Sequence, residues 1–416
     1  MTLPSLLSQL QSMLDSVAFF CDTMGMKVNT AKTEIMIFRD KRMSIPAVTW
    51  VYRRDAIRVV ESTVYLGCPL HATKELRPWE GKLKDSGLKA AFAVQQKALN
   101  YDLYSPDIRL KMFQTLALPC MLYASQIWGA DWVLPRGKSD WSKNPMQRVY
   151  VDFLRFASGT ARHVSIRALL HEFGVLPMPC IWLRHVLTFW NKIVEHEGWF
   201  IHTILVDNVR LALLGHADCW SSKLFHILKH INAMPAFIGV DDLTSMVFDV
   251  HDLVSKFQLA LYRDWDSVED DPRTCASIGA KLCTYKHWFA ADNFGPAPHL
   301  SCISMSPGLH KKLMRFRLSC SDLHVNTGRF VATPREQRLC YCCVQEAVED
   351  ELHVIFECAA YEQLRQHKYQ HLFANGMGAN RNLKAFMSLD SAQHSIARFI
   401  ADVFKIRSQC LSGSNV

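Results

Sequence analysis

From Pro78 onward, apolar residues recur at helical spacing through most of the chain, and prolines and glycines punctuate the pattern. A period near 3.6 residues specifies helices that bury one face and wet the other. The spacing predicts helices over 80–99, 106–117, 120–129, 144–157, 164–173, 178–197, 200–213, 219–232, 247–264 and 275–289. Ser105-Pro106 reads as an N-cap followed by a first-turn proline. The first 70 residues read differently. Leu7, Leu10, Leu14, Val17, Cys21 and Met24 form one helical stripe, which Gly25 ends. A strand is predicted over Thr33–Phe38, a hairpin where Val48–Tyr52 and Ala56–Val60 flank Arg53-Arg54-Asp55, and a further strand at Ser62–Leu66. The fold class is therefore mainly α with a small α+β N-terminal part. A linker is expected over 291–309, where three prolines and two glycines fall together.

The chain has 416 residues, 49% of them hydrophobic and 21% charged, which excludes wholesale disorder and allows several domains. The net charge of +8 permits a polyanionic partner without demanding one. No basic n-region or signal-peptide core opens the sequence. Together with 14 cysteines, most of them isolated, this suggests an intracellular, reducing environment. Met112 to Ala130 carries no charged side chain. It contains Gln114, Pro119, Ser125 and Gln126, so it reads as a buried helix pair broken at Pro119 and no membrane span is expected.

Cys340-Tyr341-Cys342-Cys343 breaks the pattern of isolated thiols. Cys340 and Cys343 give Cys-x2-Cys, followed after nine residues by His353-x4-Cys358. Three thiolates and an imidazole suit tetrahedral zinc, and four protein ligands leave no open position, so such a site is structural. Glu351 to Tyr361 reads as helical, with His353 and Cys358 about a turn and a half apart. Cys342 competes with Cys343 for the second place. The bland alternative is three core cysteines and a surface histidine.

The stretch before this cluster is basic. Lys311, Lys312, Arg315, Arg317, Arg329, Arg335 and Arg338 stand against Asp322 and Glu336, with Phe316 and Phe330 interleaved. Cations with aromatics suit contact with a nucleic-acid backbone; a solvated charged face is the alternative. Two Asp-Asp pairs do not read as metal sites: Asp241-Asp242 suits a helix start and Asp270-Asp271, before Pro272, a turn. No Gly-x4-Gly-Lys phosphate loop or Gly-x-Ser-x-Gly elbow is present. His163, His185 and His226 stand singly in or beside helices and read as packing or surface residues.

Several segments, in order, resemble non-LTR (LINE-like) retrotransposon reverse transcriptases. Gly25-Met26-Lys27-Val28-Asn29-Thr30-Ala31-Lys32-Thr33-Glu34-Ile35-Met36 resembles the segment that follows the catalytic aspartates. Val64-Tyr65-Leu66-Gly67 is similar to the primer-grip hairpin. Met121-Leu122-Tyr123 with Gln126-Ile127-Trp128-Gly129 resembles the thumb helix. Glu172-Phe173-Gly174-Val175-Leu176-Pro177 and Arg184 are similar to a later stretch of the family pattern. Arg338-x-Cys340-x2-Cys343, Val348-Glu349-Asp350-Glu351-x-His353 and Cys358-x2-Tyr361 resemble the C-terminal cysteine-histidine module.

The resemblance implies a partial polymerase palm over 1–70, a helical thumb over 71–135, a helical extension over 136–290 and a basic zinc-knuckle-like module over 310–416. It implies RNA-templated DNA synthesis with magnesium in the intact parent enzyme, RNA template and DNA primer as partners, and the nucleus as location. Lys32 matches a lysine proposed as general acid to the leaving pyrophosphate, and Tyr65, Leu66 and Gly67 match primer-positioning residues. Trp128 reads as core. In the family a Tyr/Phe-x-Asp-Asp turn lies just upstream of the helix that begins here near Ser5. The chain is therefore expected to start after the catalytic pair, to lack the fingers and the third metal-binding aspartate, and not to polymerise alone.

Overall fold

A computed structural model describes residues 3–39, 43, 48–73, 77–134, 141–235, 239–262, 280–290, 294–373 and 381–413. Asp270-Asp271 lies outside them. The architecture is mostly helical with a small N-terminal sheet. It divides into two units, Met1–Asp85 and Ser86–Val416, described in turn.

In the first unit, the Leu3–Thr23 helix ends just before Gly25, as its stripe predicts. The predicted 33–38 strand shrinks to β1 (Glu34–Ile35). β2 (Trp50–Tyr52) and β3 (Asp55–Val59) form the expected hairpin, and β1 runs parallel to β3, so the strand order is β1-β3-β2. Gln11 of the helix clamps the backbone of β2: its Nε2 donates to Val51 O at 2.9 Å and its Oε1 accepts from Val51 N at 3.0 Å. An unpaired sheet edge is thereby partly satisfied. Trp50, Tyr52, Ile57, Cys21 and Ala72 are buried, whereas Met13, Val17, Phe20 and Met24 leave an exposed apolar stripe on the helix.

β4 (Ser62–Tyr65) pairs antiparallel with β5 (Cys68–His71), a strand the sequence pattern did not announce because Pro69 interrupts it. Their two-residue turn is Leu66-Gly67, with φ of 47° and 80°. Positive φ at both positions is the turn whose twist matches a hairpin, and the second is met by glycine at no steric cost.

In the second unit the helices follow the predicted periodicity closely: Arg77–Asn100 continues in from the first unit, followed by Pro106–Leu116, Pro145–Ser158, Ile166–Phe173, Met178–Val194, Phe200–Leu213, Trp220–His230, Val250–Leu261 and Ala280–Trp288. The uncharged 112–130 stretch breaks into short helices at Leu118–Leu122 and Ser125–Trp128, with Ala124 left-handed between them at φ 57°. Among the described residues no helix is long and apolar enough to cross a membrane. Trp182 packs edge to face on Trp128 and Trp132 at 5.9 Å, and those two rings lie tilted against each other at 4.2 Å. Such contacts give these buried rings fixed partners.

The described part of the 291–309 segment does not run free over the surface. Ala297, His299, Leu300 and Met305 are buried. Gly174, at φ 62°, ends the Ile166–Phe173 helix so close to this segment that a Cβ would stand 2.3 Å from Pro296 N. A glycine is required there for two reasons, the left-handed conformation and the close approach. The segment leads into the Pro307–Arg317 helix, which packs along the C-terminal Gln393–Gly413 helix.

Candidate functional site

The Cys/His cluster is built on a short antiparallel bridge between Leu339 and Val348. Cys340 N donates to Ala347 O at 2.9 Å, and Glu349 N donates to Arg338 O at 2.9 Å. The loop between them turns back so that Cys342 N reaches Cys340 Sγ at 3.4 Å. The other two residues come from 353–358. Here the expected helix is widened: His353–Glu357 forms a π turn, closed by Cys358 N donating to His353 O at 2.8 Å. An α-helix advances about 100° per residue and would place residues five apart about 140° away from each other around its axis. The five-residue hydrogen bond instead stacks Cys358 above His353, and π turns of this kind recur at functional sites.

The ligand atoms of Cys340, Cys343, His353 and Cys358 all lie within 4.8 Å of one another, so the four could hold a metal ion. Cys340 Sγ and Cys358 Sγ are 3.8 Å apart, and Cys343 Sγ and His353 Nε2 are 3.5 Å apart. Tetrahedral zinc with its usual bond lengths sets sulfur–sulfur edges of about 3.8 Å and sulfur–nitrogen edges of about 3.6 Å. The donor set and two measured edges are therefore compatible with zinc. Cys342 is outside the four. Its sulfur accepts a hydrogen bond from buried Tyr361 Oη at 3.4 Å. The geometry thus separates the two adjacent thiols that the spacing left in competition. Hydrogen bonds from Cys342 and Cys358 push the Cys340 thiol down, whereas the Cys340 contact and burial push the Cys358 thiol up. On the far side of His353, Nδ1 faces Glu357 Oε2 at 3.6 Å, and Arg381 holds Glu357 at 3.0 Å. A carboxylate behind a ligating imidazole orients the ring and raises its basicity.

Three consecutive carboxylates lock this loop to the rest of the unit, a role that sequence reasoning did not assign. Glu349, fully buried, takes Arg407 Nε and Nη2 at 2.6 and 2.8 Å and accepts from His324 N at 2.6 Å. Asp350 accepts from His353 N at 2.8 Å and pairs with Arg335 at 2.9 Å. Glu351 accepts from Asn326 Nδ2 at 3.1 Å, and burial raises its carboxyl above the usual range. The tethers lead to three segments, the His324–Thr327 helix, Arg335 and the C-terminal helix, which together hold the loop.

The seven basic residues separate. Arg317 is turned inward: it is 3% exposed and grips the fully buried Glu172 through Nε at 2.5 Å and Nη2 at 3.1 Å. It is not part of any surface that a polyanion reaches. Its phase in the helix carried the signal, since it shares a face with buried His310, Leu313 and Met314. Arg335 is engaged by Asp350. Arg338 donates to the Thr333 and Val325 carbonyls at 2.6–3.0 Å. Arg329 is half-buried near Glu351. Lys311, Lys312 and Arg315 stay on the outer face of the Pro307–Arg317 helix.

In the first unit Lys32 is exposed at the end of the Thr30–Lys32 turn. Glu34 pairs with Arg58 at 2.8 Å and accepts from Thr63 at 2.8 Å. Tyr65 and Leu66 are 64% and 74% exposed at the hairpin tip, and Lys82 Nζ donates to Gly67 O. Asp241 and Asp242 sit in the first turn of the Val240–Thr244 helix, as expected of a helix start. His185 Nδ1 meets buried Ser125 Oγ at 2.5 Å, and Trp128 is 5% exposed.

Comparison with protein-family models, with curated proteins and with solved structures finds no match.

Proposed function

We propose that this chain is the C-terminal part of a LINE-like reverse transcriptase: the post-catalytic part of a palm, a helical thumb and extension, and a basic module stapled by zinc. What supports the reading is the order of the quoted segments. The Val28-Asn29-x-x-Lys32 segment leads into a small sheet, Tyr65-Leu66-Gly67 forms an exposed hairpin tip, a helical region follows, and a Cys3His cluster comes last. The chain binds RNA and DNA in the nucleus through its exposed cations. It is not expected to polymerise alone, because magnesium-assisted phosphoryl transfer needs paired carboxylates and the quoted segments resemble only parts of the family pattern that follow them. Lys32 consequently has no reaction to assist here, and magnesium belongs to the intact parent enzyme.

Primer extension on an RNA template tests this. The expected result is no magnesium-dependent incorporation; incorporation that survives repurification contradicts the proposal. A second reading, a helical protein-interaction scaffold with a structural zinc, gains support from one observation. Arg317, Arg335 and Arg338, three of the seven basic residues, are engaged within the fold. A tight protein partner together with salt-insensitive behaviour would favour it.

A further inference from the structure

The Pro307–Arg317 helix and the C-terminal helix enclose a cleft of about 640 Å³. Its walls carry Lys312, Arg315, Lys405 and Arg407 against one carboxylate, Asp322, and the ring of Phe404. Asp322 is engaged by Arg315 at 3.2 Å, and Arg407 is held by Glu349 behind the wall. Lys312 and Lys405, one from each helix, are exposed. Phe404 is half-buried, with its ring edge-on to Phe316 at 6.5 Å. Lys405 and Phe404 lie more than ninety residues after Lys312 in the sequence, and the fold alone brings them together.

We infer that this cleft binds a single-stranded nucleic acid, with phosphates between Lys312 and Lys405 and a base stacked on Phe404. Facing cations with an aromatic platform are the combination that holds single strands without reading sequence. The ring distinguishes this occupant from an acidic peptide, which needs only the charges. The inference rests on the nucleic-acid reading above and gives it a place on the molecule.

The test is fluorescence anisotropy of the full chain with fluorescein-labelled oligo(dT) and oligo(U) of about a dozen nucleotides, over a range of salt. K312E/K405E should weaken binding at least tenfold. It should also flatten the log–log salt slope by about 1.4, since each single-strand phosphate contributes about 0.7. F404L should weaken binding roughly 5- to 100-fold while leaving the slope unchanged, as loss of one stacked base requires. K192E/K229E, a charge reversal at exposed positions elsewhere, should bind as wild type, and equal retention of metal and melting temperature shows that the variants fold. Comparing the two oligomers separates RNA from DNA as the favoured strand. Unchanged binding by K312E/K405E, or equal losses in K192E/K229E, overturns the cleft while leaving nucleic-acid binding in place. Displacement of the probe by polyglutamate as readily as by unlabelled oligomer also overturns it. Failure of the wild type to bind any strand overturns the nucleic-acid reading itself.

Discussion

Replacing Glu172 by Gln removes one charge from the most enclosed ion pair described and changes almost no volume. Glu172 is fully buried and receives Arg317 Nε at 2.5 Å, Arg317 Nη2 at 3.1 Å and Tyr285 Oη at 2.6 Å. Burial alone would raise its carboxyl, but the Arg317 charge, the neighbouring His299 and the hydrogen bonds from Arg317 and Tyr285 together outweigh that and hold it below the usual range. In Glu172→Gln the guanidinium keeps the Phe289 carbonyl at 3.0 Å and loses its counter-charge. Removing one partner of such a pair costs about 3–5 kcal/mol, because the other charge stays buried and uncompensated. The Ser86–Val416 unit, at about 2.1 cal/mol/K per residue, has an unfolding entropy of about 0.7 kcal/mol/K. The expected fall in Tm is thus about 4–7 °C by circular dichroism. Arg317→Met should cost less, since Glu172 can neutralise itself by taking a proton, and the double variant should recover much of the loss. A Tm for Glu172→Gln within a degree of wild type, or losses that simply add in the double variant, would refute the account of Arg317 as a buried strut.

Two further outcomes follow from the same unit. Burial holds the His299 imidazole down to about 3, so between that pH and the ordinary value near 6.5 the unfolded chain binds a proton that the folded chain refuses. Stability is then fully present above about pH 6.5 and falls with acidification by up to about 1.4 kcal/mol per pH unit until about pH 3. His299→Leu should flatten the urea-stability profile in that window by about one proton, and an unchanged slope would count against it. At the metal cluster, Cys343→Ser should lose the ion while Cys342→Ser retains one per chain, read as zinc content after gel filtration. The apo form should unfold in its 310–416 part, given that a structural zinc contributes on the order of 10 kcal/mol. Equal zinc loss in both variants would remove the distinction between the adjacent thiols.

The helices of the second unit were legible because each buries one face at a fixed period. The Phe200–Leu213 helix has the predicted limits, and Met178–Val194 stops within a turn of its expected end. The four residues of the Cys/His cluster that could hold a metal ion were legible too, since a shared ion would fix their spacing. Their backbone was not. The turn that stacks Cys358 over His353 depends on Arg365, whose guanidinium takes the Cys358 and Ile355 carbonyls, and no local pattern marks such a widened turn. The basic stretch was misleading for a related reason. Charge counting treats every arginine as surface, whereas Glu172 lies 145 residues from Arg317 and only tertiary packing brings them together. β5 escaped because a proline stands inside it, which is tolerated in a two-stranded hairpin with an open edge.

The nucleic-acid role itself is tested most directly by the affinity of the intact chain for a labelled RNA/DNA heteroduplex at several salt concentrations. Lys311, Lys312 and Arg315 stay on an outer helix face, with Lys405 beside them. About four phosphate contacts of this kind give a log–log slope of about −3 to −4, near 0.9 per contact. The account predicts binding with that slope. Absence of binding, or an affinity that does not change with salt, would contradict it and leave the zinc-stapled helical scaffold as the better description.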